Sequence, residues 1–529
     1  MSRMIRSGAM ISAMTMISRV LGLVRDAVIA HYFVIGGALD AFFVAFRIPN
    51  LLRRLFAEGA FSLAFVPVLS QYRETRSKED LKDLIDHVAG ALTIILFIIS
   101  VIGVIAAPLI INLFTVFADE ASDTRADLAV TLLRITFPYI LFISLTAFLS
   151  GILNTFKQFA IPAFTPVLLN LVMIAAALWW APSFDEPVKA LAWGVFIGGV
   201  VQLLFQVPAL VKLGLVPRFR YKKAHEGVKK ITQLMIPALF GSSVAQVNIL
   251  INTAIAYALV SGSVSWLYFS DRFVELPLAL IGVAIGTVIL PKLSGDHANK
   301  AGEAFSSTLS WAIRLALLVG IPAMVGLIIL AKPILATVIN NGVNTWHDVE
   351  MASMSLMTYS LGLPAFILVK VLAPGFYSRQ DTKTPVKIGI IAMFSNMFLS
   401  LIIVLPWYKM GYVGAHAGLA LATAMAAYIN AGLLFYQLKK QGIYQPNNRL
   451  DVGLKAGLKS ESIKNLLRIT IAVSVMVAVV WGINPVDDWW QESGLGIKVA
   501  RLLLLVVAAI VAYFGSLYIL GVRKSSILA

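Results

Sequence analysis

The sequence contains no cysteine among its 529 residues. Disulfide bridges, thiolate nucleophiles and cysteine-ligated metal sites are therefore excluded. It also lacks a glycine-rich GK[ST] phosphate loop and an H-E-x-x-H motif, which argues against an ATPase and a zinc hydrolase. The six histidines are scattered, and no catalytic triad or paired-carboxylate site stands out. We therefore expect neither enzymatic activity nor a cofactor.

Charge is scarce as well. Asp, Glu, Lys and Arg make up 13% of the chain, against about 25% in soluble domains, whereas 59% of the residues are hydrophobic. Apolar stretches such as 91–114 and 501–522 reach the roughly 20 residues that cross a bilayer as a helix. The composition predicts an all-α polytopic membrane protein.

The hydropathy pattern predicts fourteen transmembrane helices, at residues 8–35, 41–70, 84–114, 128–153, 161–182, 188–211, 231–260, 264–291, 306–339, 351–376, 385–406, 411–438, 466–484 and 498–521. With the N-terminus inside, the inside segments hold 28 of the 43 Lys and Arg residues, and the outside loops hold only Arg125, Lys189 and Lys409. By the positive-inside rule this predicts that both termini lie in the cytoplasm. The net charge of +16 then requires no nucleic-acid partner.

Two short echoes indicate an internal repeat. FVPVLSQY (65–72) resembles ILPKLSGD (289–296), and SGILNTFKQFAIP (150–162) resembles APGFYSRQDTKTP (373–385), each at an offset of 224 residues. Six helices per repeat give two halves of the same orientation, in a parallel pseudo-repeat typical of transporters. We expect an N-lobe of helices 1–6 (1–225), a C-lobe of helices 7–12 (226–440), and a cytoplasmic linker with two extra helices, 13 and 14 (441–529).

Several charged residues fall inside the predicted spans. The arginines are Arg19, Arg25, Arg47, Arg53, Arg54 and Arg272, and the acids nearby are Asp26, Asp40, Glu58, Asp271 and Glu275. A charge at the bilayer centre costs at least about 2.5–3.5 kcal/mol. These side chains must therefore meet counterions, a watery cavity or an anionic ligand. By contrast, Lys498 and Arg501 stand at a helix start, where we expect them to snorkel to the membrane surface.

Two interpretations fit these charges: structural ion pairs between packed helices, or a central cationic cavity. Helix spacing makes neighbours of Arg54 and Glu58, four residues apart, and of Arg272 and Glu275, three apart. In the first half, however, five arginines face three acids. A planar guanidinium binds phosphate through two hydrogen bonds, so a surplus of arginines favours a diphosphate ligand.

Longer stretches of the chain resemble the MurJ (MviN) family of bacterial lipid II flippases, in the multidrug/oligosaccharidyl-lipid/polysaccharide (MOP) exporter superfamily. They are SRVLGLVRDAVIA (18–30), DAFFVAFRIPNLLRRLFAEGAFSLAFVPVLS (40–70), ITFPYILFISLTAFLSGILNTFKQFAIPAFTPVLLN (135–170), GSVSWLYFSDRFVELPLALIGVAIGTVILP (262–291) and VLAPGFYSRQDTKTPVK (371–387). The resemblance implies two lobes around a central cavity with alternating access, and an outer groove of helices 13 and 14 for a lipid tail.

The resemblance also implies roles for individual residues. By motif match, the substrate-binding arginines are Arg19, Arg25, Arg53 and Arg272. Supporting or gating positions are Asp40, Arg54, Glu58, Ser265 and Glu275. Arg54 and Arg47 are expected to be structural, paired with Glu58 and Asp40. The implied partners are membrane lipids and lipid II, the undecaprenyl-diphosphate disaccharide-pentapeptide of peptidoglycan biosynthesis, with the cell-wall synthesis machinery as a further candidate. A coupling ion and the membrane potential both stay open as energy sources.

Three other functions stay open from the sequence. A drug/cation antiporter of the same superfamily should have a lone buried carboxylate in an anionic cavity, which the arginine excess opposes. A flippase for another polyprenyl-linked glycan fits a cationic cavity equally well, and only the family stretches oppose it. A membrane scaffold without transport predicts that removing the cavity charges leaves function intact.

Overall fold

A computed structural model describes residues 2–55, 61–115, 123–220, 225–299, 301–340, 342–444 and 461–522. Within these ranges the chain forms helices and turns and no β-strand. The all-helical class predicted from composition is therefore confirmed. The chain divides into two compact units, Met1–Ser265 (unit 1) and Trp266–Ala529 (unit 2). The lobe bounds expected from the repeat stay a prediction.

Unit 1 contains helices α1 to α10. They are α1 (Ser2–Tyr32), α2 (Gly37–Arg53), α3 (Phe61–Thr75), α4 (Lys78–Ile105), α5 (Ala107–Thr115), α6 (Asp123–Thr136), α7 (Tyr139–Thr155), α8 (Ala160–Ala175), α9 (Val188–Leu213) and α10 (Glu226–Tyr257). The next helix, α11 (Ser263–Pro277), begins in unit 1 and continues into unit 2.

The remaining helices belong to unit 2. They are α12 (Ala284–Ala298), α13 (Gly302–Ile329), α14 (Ala331–Val338), α15 (Trp346–Leu361), α16 (Leu363–Tyr377), α17 (Lys383–Lys409), α18 (Ala415–Lys440), α19 (Glu461–Ile483), α20 (Asp487–Glu492) and α21 (Leu495–Ile519). Helices α17 and α18 pack on each other, as do α19 and α21.

Nine helical segments among the described residues are long and apolar enough to cross a bilayer. They are Lys78–Ile105, Arg125–Thr155, Ala160–Ser183, Val188–Leu213, Gly302–Ile329, Trp346–Tyr377, Lys383–Lys409, Ala415–Lys440 and Leu495–Ile519. A multi-pass membrane protein follows from these segments, because an apolar helix satisfies its own backbone hydrogen bonds in lipid. The count of fourteen stays a prediction.

The core of unit 1 lies where α3, α4, α7 and α9 meet. Phe65 and Phe148 are fully buried there, with ring centroids 5.0 Å apart. Leu84 and Leu210 complete the contact from α4 and α9. Helix α4 begins sharply, because the Ser77 hydroxyl accepts a hydrogen bond from the Asp80 N–H and the Asp80 carboxylate accepts one from the Ser77 N–H.

One of the two sequence echoes corresponds to the same turn in both units. Lys157 after α7 and Gln380 after α16 are the two described non-glycine residues with positive φ, each at 61°. After α7, the Gln158 N–H donates to the Leu153 carbonyl at 2.8 Å, and after α16 the Asp381 N–H donates to the Phe376 carbonyl at 3.1 Å. Lys157 and Gln380 are 223 residues apart, so the local offset differs by one residue from the expected 224. A shared left-handed helix end supports the repeat.

Lys498 and Arg501 both donate to backbone carbonyls of neighbouring segments, and their expected snorkelling to the membrane surface stays a prediction. The Lys498 ammonium is 1% exposed and donates to the Asn340 carbonyl at 2.6 Å. Arg501 donates to the Ile483 carbonyl at the end of α19. The Ile483 carbonyl is at the C-terminal end of α19, where the partial negative charge of the helix end favours the Arg501 cation.

Candidate functional site

Arg25 in α1 is buried and hydrogen-bonded to Asp26 and Asn170. Its side chain donates to Asp26 Oδ1 from Nε at 2.9 Å and from Nη2 at 2.6 Å. Nη1 donates to Asn170 Oδ1 of α8 at 3.0 Å. Arg25 is 5% exposed and Asp26 is 3% exposed. Arg25 is therefore in an ion pair, but with the next residue of α1, and its contact with the neighbouring helix is to a neutral amide.

Asn170 connects two turns of α1 to α8. Besides accepting from Arg25, its amide donates from Nδ2 to the Ser18 carbonyl at 3.1 Å. Both contacts involve side-chain atoms buried between the helices, and α1 and α8 pack extensively on each other. Sequence reasoning missed Asn170, although an amide within the apolar segment AIPAFTPVLLNLVMIA was a usable signal.

Arg19 differs from Arg25 although both lie on α1. It is exposed, and it makes neither a hydrogen bond nor an ion pair with any residue that the structure describes. Six residues along an α-helix separate the two Cα atoms by about 9 Å along the axis. Helix α1 therefore carries one arginine paired with an aspartate and, about two turns earlier, one that meets no counterion in the described part of the chain.

Arg53 and Arg54 end α2 and are both half-buried. The Arg53 Nε donates to Asn50 Oδ1 at 2.9 Å, one turn earlier on the same helix. Glu58, the predicted partner of Arg54, lies outside the described residues, so that pairing stays a prediction. Asn50 orients the Arg53 side chain, a role that was not predicted.

Asp40 and Ser265, both predicted to support or gate the site, are hydrogen-bonded to each other. The buried Asp40 carboxylate accepts from the Ser265 hydroxyl at 2.6 Å and the Ser265 N–H at 2.8 Å through Oδ1, and from the Gly262 N–H at 2.7 Å through Oδ2. These N–H groups stand at the start of α11, where a carboxylate is favoured by unpaired donors and the helix dipole. Asp40 thereby joins α2 to the α10–α11 turn within unit 1.

The expected pairing of Asp40 with Arg47 is wrong. Arg47 is half-buried and donates from Nη1 to the Thr253 hydroxyl of α10. The two residues are seven apart, which places them on one face of α2 but two turns apart along it. Asp40 is instead occupied by the start of α11, so each charge meets a partner on a different element.

Arg125 of α6 is a second residue that sequence reasoning missed, because it was assigned to an outside loop. Its guanidinium carbon lies 5.5 Å from the centre of the Tyr257 ring. A Cβ added at Gly37 would approach the Arg125 Cδ to 2.6 Å, so the absence of a side chain at Gly37 lets Arg125 lie against the start of α2. The Gly36–Gly37 pair was the feature of the sequence that could have indicated a close contact at the start of α2.

Arg272 of α11 lies in unit 2 with the partner that its spacing predicted. Its Nη1 is 3.3 Å from Glu275 Oε2, and its Nη2 donates to the Tyr268 hydroxyl at 2.9 Å. The side chains of Arg272 and Glu275 are 29% and 39% exposed. The predicted Arg272–Glu275 pair is confirmed, and its exposure leaves the guanidinium accessible to a ligand.

Comparison with known proteins shows the family of this chain. The family model described as "Lipid II flippase MurJ" matches residues 29–515. The chain belongs to the MurJ family. It is 45% identical to the probable lipid II flippase MurJ of Vibrio cholerae serotype O1, over 100% of this chain and 98% of that protein. It is 44% identical to the probable lipid II flippase MurJ of Haemophilus influenzae, over 97% and 99%.

Solved structures show the same MurJ fold. A lipid II flippase MurJ in an inward closed conformation has a TM-score of 0.76 at 28% identity, covering 96% of this chain and 99% of that one. An inward-facing multidrug resistance MATE family transporter of the MOP superfamily has a TM-score of 0.67 at 15% identity, covering 84% and 99%. The second likeness shows the fold alone. MurJ proteins are lipid flippases, so this chain is a transporter and not an enzyme.

Proposed function

We propose that this protein moves lipid II from the cytoplasmic to the periplasmic leaflet by alternating access. The observation that carries the proposal is membership of the MurJ family over nearly the whole chain. Arginines within apolar helices add chemical support, because a diphosphate is an anion that guanidinium groups bind through paired hydrogen bonds. The polyprenyl tail stays in lipid beside helices 13 and 14 while the head group crosses.

Arg19 is the first contact for the diphosphate in this proposal. Its exposed charge, which meets no counterion among the described residues, supports the role, since a cation within a membrane span is costly until an anion binds it. Arg53, whose Nε donates to Asn50, and Arg272, beside Glu275 and Tyr268, bind the ligand together with Arg19 in this proposal. Arg25 contributes after leaving Asp26, so its ion pair belongs to one conformation and its ligand contact to another.

Asp40 and Ser265 close one side of the pathway in this proposal, with Arg54, Glu58 and Glu275 in supporting roles. Three hydrogen bonds hold the start of α11 against α2, and breaking them together would free that end to move. A ligand shifts such an equilibrium only by its difference in affinity for the two conformations. Relief of repulsion among the arginines supplies that difference.

The protein lies in the bacterial inner membrane with both termini in the cytoplasm, by the charge asymmetry of its loops. A membrane potential negative inside then drives the anionic head group outward, by about 2.3 kcal/mol per charge per 100 mV. The chain works alongside the enzymes that make and consume lipid II, and through them supports peptidoglycan synthesis and cell shape.

The test depletes the protein in cells and follows lipid II with a reagent that acts only from outside. Cells are complemented with wild type, Arg19→Ala, or Lys409→Ala, which removes an exposed lysine at the end of α17. On depletion, we expect lipid II to accumulate where the reagent cannot reach it. Wild type and Lys409→Ala, present at the same protein level as Arg19→Ala, should restore access of the reagent to lipid II. Arg19→Ala should leave it shielded.

The outcomes separate the two parts of the proposal. Lipid II that stays accessible during depletion would refute the flippase function and direct attention to another polyprenyl-linked glycan or a scaffold. Restoration by Arg19→Ala to the wild-type level would leave the function standing and refute the role of Arg19.

A further inference from the structure

A cluster of two histidines and one aspartate lies apart from the arginines, at the start of α4 and just before α10. His87 Nδ1 is 3.3 Å from Asp83 Oδ1, and His225 Nε2 is 3.3 Å from Asp83 Oδ2. One donor atom from each residue lies within 4.8 Å of the other two. The two imidazole rings are nearly parallel, with centroids 4.7 Å apart. We call these three residues the His–Asp–His cluster.

The spacing of these atoms matches metal ligation. Zinc binds histidine nitrogen and carboxylate oxygen at about 2.0–2.2 Å, so ligand atoms at tetrahedral corners are about 3.3–3.6 Å apart. The 3.3 Å contact between His225 Nε2 and Asp83 Oδ2 equals that edge, and it exceeds the 2.7–2.9 Å of a charge-assisted hydrogen bond. Asp83 and His87 are four residues apart on α4, the spacing that puts two ligands on one helix face.

The chemistry of the cluster selects a class of ion. Two imidazoles and one carboxylate suit zinc and neighbouring first-row metals, whereas magnesium and calcium require oxygen ligands. The histidine side chains are 10% and 12% exposed, and the Asp83 side chain is 46% exposed. We propose that Asp83, His87 and His225 bind one divalent transition-metal ion, with zinc preferred, and that water completes its coordination.

The surroundings hold the ligands in place. Asp86 on the same helix accepts from the Arg218 N–H at 2.7 Å, and its carbonyl accepts from the Arg220 N–H at 3.3 Å. Arg218 and Arg220 therefore lie along α4, and His225, the residue before α10, contacts Asp83 on the same helix. A Cβ added at Gly90 would approach the Arg220 carbonyl oxygen to 2.0 Å, so this close approach requires glycine.

Hydrogen bonds of the histidines fix which nitrogen binds. His87 Nδ1 lies 2.8 Å from the Asp83 carbonyl, and a hydrogen on Nδ1 leaves the Nε2 lone pair for a metal while the carbonyl orients the ring. His225 Nδ1 accepts from the Gly227 N–H at 3.1 Å. If His225 binds the metal through Nε2, its ring hydrogen moves to Nδ1. Nδ1 can then no longer accept the hydrogen bond from the Gly227 N–H, so that one bond is lost. Two new metal–nitrogen bonds and one metal–oxygen bond outweigh it.

A bound ion would fasten the chain that precedes α10 to the start of α4, within unit 1. This role is independent of the arginines and of lipid II. It predicts that zinc raises the midpoint of thermal unfolding and that a chelator reverses the rise, because an ion that binds only the folded state stabilises it.

The experiment titrates ZnCl₂ into chelator-treated protein purified in detergent without a histidine tag, by calorimetry. Asp83→Asn, His87→Gln and His225→Gln each remove one ligand. His297→Gln is the matched control, since His297 is exposed and lies outside the cluster. Cobalt is the second probe, because its visible absorption reports tetrahedral coordination. Unfolding midpoints with chelator present establish that each variant is folded.

For wild type we expect one zinc ion per chain and the absorption spectrum of tetrahedral cobalt. Each cluster variant should lose more than about 10-fold in zinc affinity, because even residues that only hydrogen-bond to a metal ligand contribute that factor to affinity. His297→Gln should bind as wild type does. Wild-type protein that takes up no stoichiometric zinc overturns the proposal. So does zinc affinity that survives removal of the cluster residues, or that falls equally in the His297→Gln control.

Discussion

The network around Asp40 makes a quantitative prediction. In Asp40→Ala the buried Gly262 and Ser265 N–H groups both lose their acceptor. A buried donor without a partner costs about 1–3 kcal/mol, so the start of α11 should be destabilised by about 2–6 kcal/mol. Asp40→Asn keeps one oxygen for Ser265 and turns an NH₂ group toward Gly262, which reduces the cost to about 1–3 kcal/mol.

Hydrogen exchange measured by mass spectrometry of peptides around 258–268 is the assay. Every 1.4 kcal/mol of local destabilisation raises the open population about tenfold. We therefore expect exchange in this segment to accelerate at least about 5-fold in Asp40→Asn and at least about 20-fold in Asp40→Ala. Ser265→Ala removes only the hydroxyl donor and should have a smaller effect than Asp40→Ala.

Ser263→Ala is the matched control. The Ser263 hydroxyl donates to the Val260 carbonyl at 2.6 Å, so this variant removes a neighbouring hydroxyl without touching the carboxylate. Its exchange should accelerate less than that of Asp40→Asn. Equal exchange in wild type and Asp40→Ala, or equal acceleration in Asp40→Asn and Ser263→Ala, would refute the reasoning that the carboxylate holds the start of α11.

Two further predictions concern thermal and acid unfolding. Gly90→Ala should lower the midpoint of thermal unfolding, because the added Cβ would collide with the Arg220 backbone. Gly389→Ala should raise the midpoint slightly, because that position has open space around it and alanine favours a helix over glycine. Thermal unfolding followed by fluorescence would contradict this reasoning if both midpoints moved in the same direction. Hydrogen bonds from Thr384 lower the pKa of Asp381 below its ordinary 3.8. Its stabilising contribution is therefore present above pH 3.8 and lost as pH falls through the folded-state pKa. The deficit of Asp381→Asn against wild type should be seen at pH 7 and vanish near pH 2.

Composition and periodicity were enough to predict the membrane class. An uncharged apolar segment long enough to cross a bilayer is expected to form a transmembrane helix, because in lipid the backbone must satisfy its own hydrogen bonds. The echo around Gly151 and Gly375 was also informative, because a helix end requires particular residues and both copies form the same left-handed turn at Lys157 and Gln380. Helix count and lobe bounds depend on spans interrupted by charge and proline, which hydropathy resolves poorly.

The site was less predictable, and the reason is the range of its contacts. Spacing along one helix correctly paired Arg272 with Glu275, because neighbours at three residues share a face. The same logic failed for Asp40, whose partners Gly262 and Ser265 are more than 200 residues away. Periodicity reports which face a side chain occupies, but it carries no information about what another element brings to that face.

Arg19 and Arg25 of α1 have different surroundings, and the cationic cavity stays a prediction. Arg25 is neutralised by Asp26, whereas Arg19 is exposed without a described partner. A buried ion pair contributes little net stability, because the cost of removing both charges from water offsets their attraction. Separating the pair leaves the buried Asp26 carboxylate unpaired, which costs about 3–5 kcal/mol, so the incoming anion must offset that cost by binding Arg25 more strongly than Asp26 does. On the proposed function, a diphosphate held first by Arg19 replaces Asp26 at Arg25, which converts the pair from a structural contact into the step that couples ligand binding to movement of α1 against α8.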